Sequence, residues 1–193
     1  MQFDFEEVLS QDEIREAPAI AKRALALFAV VGLALGVTKD ETVAWLRDES
    51  LWEELSPQEL MFVSGSAPTE RQFINASWRS EALLILLWAL GLVEALPGLA
   101  EQCDTGNIRQ VFPPFADVSV KEFVSKAQRR SDRELLDMAD ILLNAHWMAR
   151  DACIHNQPMP SNLDIGIIQQ RHHAINWVIG YEGLAWDEVT TDT

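Results

Sequence analysis

The sequence predicts an all-α fold, a single-domain helical bundle of about seven helices with one long loop at residues 97–118. Three observations carry that prediction. A Ser or Thr followed three residues later by Glu or Gln recurs six times, a pairing that bonds two of the backbone N–H groups a helix start leaves open. Between these starts, apolar residues recur at three- and four-residue spacing. Alternating apolar and polar runs with hairpin turns, the mark of strands, are essentially absent.

Taken in order, the first start is Ser10–Glu13. It leads to Ala24–Val37, an apolar run behind Lys22-Arg23 that imitates a signal peptide but reads better as a buried helix, too short to span a bilayer. Further starts stand at Thr38–Glu41, at Ser56–Glu59 with Pro57 in the favoured first position, and at Thr69–Gln72. Ala82 to Val93 is apolar on all sides apart from Gly91, which marks a central, surrounded helix ending at Leu96-Pro97-Gly98. Residues 97–118, with Pro97, Gly98, Gly106 and Pro113-Pro114, form a loop longer than a bundle requires. Ser119–Glu122 opens a helix with Val120, Phe123, Val124 and Ala127 on one face. Ser131–Glu134 opens another, whose face is Leu135, Leu136, Ala139, Leu142 and Leu143. Residues 155–161 connect to the last long helix, for which Ser161 and Asp164 give a weaker seventh start. Trp186 and Val189 are expected to fold back onto the bundle, with Asp187 as a cap or salt-bridge partner.

A chain of 193 residues supports one substantial core, so the division is an acidic leader, residues 1–16, and one all-α domain, residues 17–193. The net charge is −15. It disfavours nucleic acid and anionic membrane surfaces, which are bound by Lys and Arg, and favours a basic protein partner. The charge is concentrated: residues 1–16 hold six acids against Arg15, and residues 40–59 hold seven against Arg47. Together in space the two stretches would make one negative face. Cys103 and Cys153 show neither CxxC spacing nor a disulfide framework, which suits a reducing, cytoplasmic setting, and Cys153 reads as a packed thiol.

Charged and imidazole side chains stand at the edges of the most apolar helices. Arg79 and Glu81 open one, Asp140, His146, Arg150 and Asp151 follow along a second, and Arg171-His172-His173 lies inside a third. Such groups are costly to bury unpaired, so they predict a polar cluster inside the core. His172 shares an apolar stripe with Ile168, Ile175 and Ile179, whereas His173 points about 100° away, so the two do not readily grip one metal. Asp140, Asn144, Trp147 and Asp151 share a row that would serve as a partner for arginine. Glu81 is a counter-ion for Arg171 or, beside aromatic surface, a base with a raised pKa. The tryptophans read mostly as core or clasp residues. HExxH, ExxH, GxSxG and glycine-rich phosphate loops are missing, so no catalytic residue, cofactor or metal site is assigned.

These residues resemble a bacterial family known as domain of unknown function 4272. The matching pieces are Trp78-Arg79-Ser80-Glu81-Ala82-Leu83, Leu87-Trp88-Ala89-Leu90-Gly91, Asp140 with His146-Trp147-Met148-Ala149-Arg150-Asp151-Ala152, Arg171-His172-His173-Ala174-Ile175-Asn176-Trp177, and Trp186 to Thr193. The likeness covers roughly residues 20–193 and leaves the first sixteen outside. It implies a fold unit and transfers no catalytic role.

The leading expectation is a cytoplasmic, non-catalytic protein that binds another protein, most concretely an acidic inhibitor or immunity protein masking a basic bacterial toxin or nuclease. The cluster of Arg79, Glu81, Asp140, His146, Arg150, Asp151, Arg171 and His172 would then be a folding clasp. Asp48, Glu49, Glu53 and Glu54 would contact the partner. The competing expectation is a small-molecule enzyme or sensor, with Glu81 or His172 as base and Arg79 or Arg171 as anion anchor.

Overall fold

The computed structural model describes residues 13–113 and 115–193. Among them run eight α-helices and no strand: α1 Ala17–Ala34, α2 Lys39–Asp48, α3 Pro57–Ser64, α4 Glu70–Ala89, α5 Thr105–Ile108, α6 Val120–Ser125, α7 Asp132–Ile154 and α8 Ile165–Val178. Short 3-10 turns follow α2, α5 and α8. The predicted all-α fold is observed, and the extra helix is the four-residue α5.

Local chemistry sets the helix starts. Thr38, Ser56, Thr69 and Ser131 each accept from the N–H three residues on, and the Glu or Gln at that position returns the bond. Ser119 accepts from the Glu122 N–H, but the Glu122 carboxylate pairs with Lys126 instead of reaching back. The weak start at Ser161 is corrected, because Asp164 itself caps α8 by accepting from the Ile167 N–H. Ser10 lies outside the described residues.

The core forms where α4 is enclosed by α1 on one side and α8 on the other. From Ser80 to Leu90 every residue of the α4 segment is buried, as its all-round apolarity required. The helix stops earlier than expected, at Ala89, because Gly91 takes φ +69° and turns the chain. α1 is long and apolar enough to cross a membrane, yet 67% of that span is buried inside the protein, with Ile20, Leu25 and Leu27 fully covered. It is the core helix the sequence implied. α2, α3 and α6 lie against α1, and α7 packs on α8.

The 97–118 segment is built rather than open. Asp104 caps α5 by accepting from the N–H groups of Gly106 and Asn107, and Phe112 is buried in a stack on Phe28. The C-terminal segment folds back as expected: Trp186 and Val189 join the core, and Asn176 donates to the Thr190 carbonyl. The apolar face expected on α7 is narrower than its sequence suggested. Leu135, Ala139 and Leu142 are buried, whereas Leu136 and Leu143 are exposed.

Candidate functional site

The charged residues that the sequence grouped together separate into three sites. The first is a clasp between α4 and α8. Arg171 is wholly buried and Glu81 1% exposed, and the Arg171 Nε and Nη2 both lie 2.9 Å from Glu81 Oε2. The remaining donors of Arg171 bind the carbonyls of Pro97, Gly98 and Glu101, and Glu81 Oε1 accepts from the Cys103 N–H at 2.7 Å. One ion pair therefore fastens the first part of the long loop to two helices, with nearly every polar atom bonded. Burial pushes the nearby Cys103 thiol up to about 11, so it is not a thiolate at neutral pH.

The second site joins α7 to α8. His146 and His172 are both buried, with their Nδ1 atoms 3.0 Å apart and rings nearly perpendicular. One Nδ1 donates and the other accepts, so the accepting ring is neutral and the two cannot both be charged. Burial, and then His146, lower His172 to about 4; burial, and then Arg150, lower His146.

The third site takes Arg79 away from Glu81. Its charged neighbours are Glu59 and Asp187, which oppose the downward pull of burial on its pKa. Arg23, the one charged side chain buried in α1, donates to Glu59 Oε2 at 2.5 Å and to the Glu54 carbonyl, and its guanidinium lies over Trp186. The Trp186 ring meets His173 edge-on at 4.8 Å, and Asp187 accepts from the Gln58 N–H at the start of α3. Burial, and then Arg79, lower His173 to about 4. Of six buried side-chain atoms without a hydrogen-bond partner among the described residues, five belong here: Arg23 Nε, Glu59 Oε1, His173 Nε2, Trp186 Nε1 and Asp187 Oδ1. Clefts of about 760 and 440 Å³ flank the group, the first lined by Arg23, Trp186 and Asp187, the second by Glu59 and Arg79. Donors and acceptors thus converge where a small polar molecule, water included, could bond them.

Arg23, Glu59 and His173 were missed as site residues. The sequence gives Glu59 as half of a capping box and one acid of the 40–59 stretch; it makes the capping bond while also holding Arg23. The available signal was Arg23, which with Lys22 is one of two charged residues between Ile20 and Leu27 on a mainly apolar helix.

Other expected members stand apart. Asp140 and Asn144 are exposed, and Asp151 pairs on the surface with His155, because this row of α7 faces away from α8. Arg150 is half-buried and reaches only the Thr193 hydroxyl, at 3.4 Å. Cys153 is exposed in the last turn of α7 rather than packed. Glu81, His172, Arg79 and Arg171 do not assemble as one base-and-anchor set. Among the described residues no three His, Cys, Asp or Glu side chains gather as a metal site.

The histidines give a signed pH prediction. Folded His172 and His173 bind protons only near pH 4, whereas unfolded histidines do so near 6.5. Their contribution is therefore complete above about 6.5 and lost as pH falls toward 4, because the unfolded chain takes up protons first. The urea midpoint should drop between pH 7 and 5, and the drop should shrink in His172→Gln and His173→Gln. An unchanged midpoint over that range would refute it.

No curated protein and no solved structure matches the chain. A family model described as a domain of unknown function, DUF4272, matches residues 5–189. The match begins well before residue 20, so of the acidic first sixteen residues, expected to lie outside the family unit, only residues 1–4 do, and it stops short of the last four. Within the earlier part of the match, Arg15 is tied to the domain: its N–H donates to the Val178 carbonyl, and its guanidinium binds the carbonyls of Trp177 and Leu184. The chain belongs to the family of this domain of unknown function, DUF4272.

Proposed function

We propose that this protein acts by binding a basic protein, and that its docking surface is the acidic edge formed by the end of α2 and the 3-10 turn after it. One observation carries this reading. Asp48, Glu49 and Glu53 are exposed and have no ion-pair partner among the described residues. Their neighbours are already engaged: Glu54 pairs with Lys22 at 3.0 Å, Glu59 with Arg23, and Glu41 closes a capping box. Arg47 stacks over Trp52 beside these acids, giving the edge an aromatic element as well as charge. Clustered free carboxylates in a protein of charge −15 speed encounter with a basic surface and repel nucleic acid. The concrete version is an inhibitor or immunity protein that imitates the charge of a nuclease toxin's substrate, working in the cytoplasm. Asp4, Glu6, Glu7 and Asp12, the rest of the expected negative face, lie outside the described residues.

The test is capture from a bacterial lysate at low and high salt, with a variant carrying Asp48→Lys, Glu49→Lys and Glu53→Lys alongside. A basic protein held by the native chain should be released by salt and bound about tenfold or more weakly by the variant. Equal capture by both would remove this edge from the reading.

A second reading rests on the five unbonded atoms around Arg23, Arg79 and Trp186. It makes that group a binding site for a small polar molecule, replacing the Glu81 and His172 assignment. Arg79→Gln should then keep the fold and abolish a rise in melting temperature with small carboxylates or phosphate. An identical response in both proteins would dismiss it.

A further inference from the structure

We propose that the chain forms a two-fold symmetric homodimer through the outer face of α7, the two copies of the helix running antiparallel. The face is mostly apolar and, among the described residues, uncovered. Leu136, Leu143, Trp147 and Ile154 are 46%, 41%, 58% and 68% exposed, while the opposite side of the helix packs on α8. At about 100° per residue the four lie within about 40° of one line along the helix. A tryptophan with more than half its surface in water departs from the pattern of Trp88, Trp177 and Trp186, which are buried. Four large apolar residues in a single stripe make a contact surface rather than scattered exposure.

The spacing says what covers it. Leu136, Leu143 and Arg150 recur every seven residues, and so do Asp140, Trp147 and Ile154. These are the two seam rows of a coiled coil, drifting by about 20° per heptad. The rows are palindromic about the level of residue 145. Leu136 and Ile154 lie nine residues on either side, Asp140 and Arg150 five, and Leu143 and Trp147 two. A two-fold axis at that level places Leu136 of one copy against Ile154 of the other and Leu143 against Trp147. It also places the Asp140 carboxylate against the Arg150 guanidinium, twice over.

Among the described residues both charges lack an ionic partner within the single copy: Asp140 is exposed with no salt bridge, and Arg150 has a long contact to the Thr193 hydroxyl. The one acid and one base in the stripe complement each other only across the axis. A two-fold contact requires this kind of self-complementarity, with residue i meeting j and j meeting i. The stripe is also locally neutral, which suits self-association in a chain of charge −15.

The experiment is sedimentation equilibrium of the full chain, of Asp140→Arg, of Arg150→Asp and of an equimolar mixture of the two variants. The native chain should be a dimer at ~100 µM, with Trp147 fluorescence shifting blue as concentration rises. Each variant alone should be monomeric, because two pairs of like charges then face each other. The mixture should restore a dimer with one copy of each, since every facing pair is again opposite in sign. Trp147→Ala should weaken the dimer while leaving the melting curve of the monomer intact, as the ring touches little of its own core. A native chain that stays monomeric overturns the proposal. So does a dimer indifferent to both charge reversals, or a mixture that fails to pair.

Discussion

Replacing Arg171 with alanine should lower the unfolding free energy by about 3–5 kcal/mol and loosen the loop from Pro97 to Cys103. The size follows from what the side chain leaves behind. Glu81 becomes a buried carboxylate with no cation, and the carbonyls of Pro97, Gly98 and Glu101 lose their donor. Replacing the whole pair, as Glu81→Met with Arg171→Met, should not restore stability. An isolated buried ion pair is often matched by apolar residues, but here the loop carbonyls and the Cys103 N–H would stay unbonded. Arg171→Lys keeps the charge without the planar fork, so it should fall between native and alanine. Urea unfolding gives the magnitude, and limited proteolysis within 97–118 shows the loop. A loss below about 1 kcal/mol for Arg171→Ala would mean the clasp is mostly solvated and this account is wrong.

Trp186→Ala should cost a similar amount, about 3–5 kcal/mol, the usual range for removing a buried tryptophan. The ring is 4% exposed and packs edge-on against His173 and Trp177, with the Arg23 guanidinium on its face. Its loss would open space beside a buried arginine and free the segment that brings Asp187 to the start of α3. Trp186→Phe, which keeps the packing and drops the unbonded indole N–H, should lose much less. Denaturant unfolding of both variants, with C-terminal proteolysis as a local probe, separates packing from tail release. Equal losses for Ala and Phe would contradict the packing explanation.

Much of the fold was legible because helix starts are written in a few adjacent residues. Four complete capping boxes and one half box stand where Ser, Thr, Glu and Gln promised them, since the bonds span only three positions. Boundaries set by backbone conformation were harder. Gly91 looked like an interruption within an apolar run, yet its positive φ ends α4 well before Pro97. The loop at 97–118 looked unstructured because much of its order comes from residues far away in the chain, Arg171 for its first part and Phe28 for Phe112.

The site was legible in kind and not in pairing. That Glu81 could answer Arg171 followed from two charges on apolar helices, and they do pair. Arg79, two residues from Glu81, points to a different helix neighbour because successive helical residues diverge by about 100°. Its attractive charges are Glu59 and Asp187, which come from α3 and the C-terminal segment.

By itself, then, the sequence determined the helical class, most helix starts, the burial of α1 and the back half of α4, and the docking of Trp186. Those follow from local bonding and from apolar periodicity, which each segment carries within itself. Only the tertiary structure decided which charges share a site, that Arg23 and Glu59 belong to one, and that no described residue covers one face of α7. Such outcomes depend on the rotation and contact of helices distant in the chain, and no local pattern encodes that geometry.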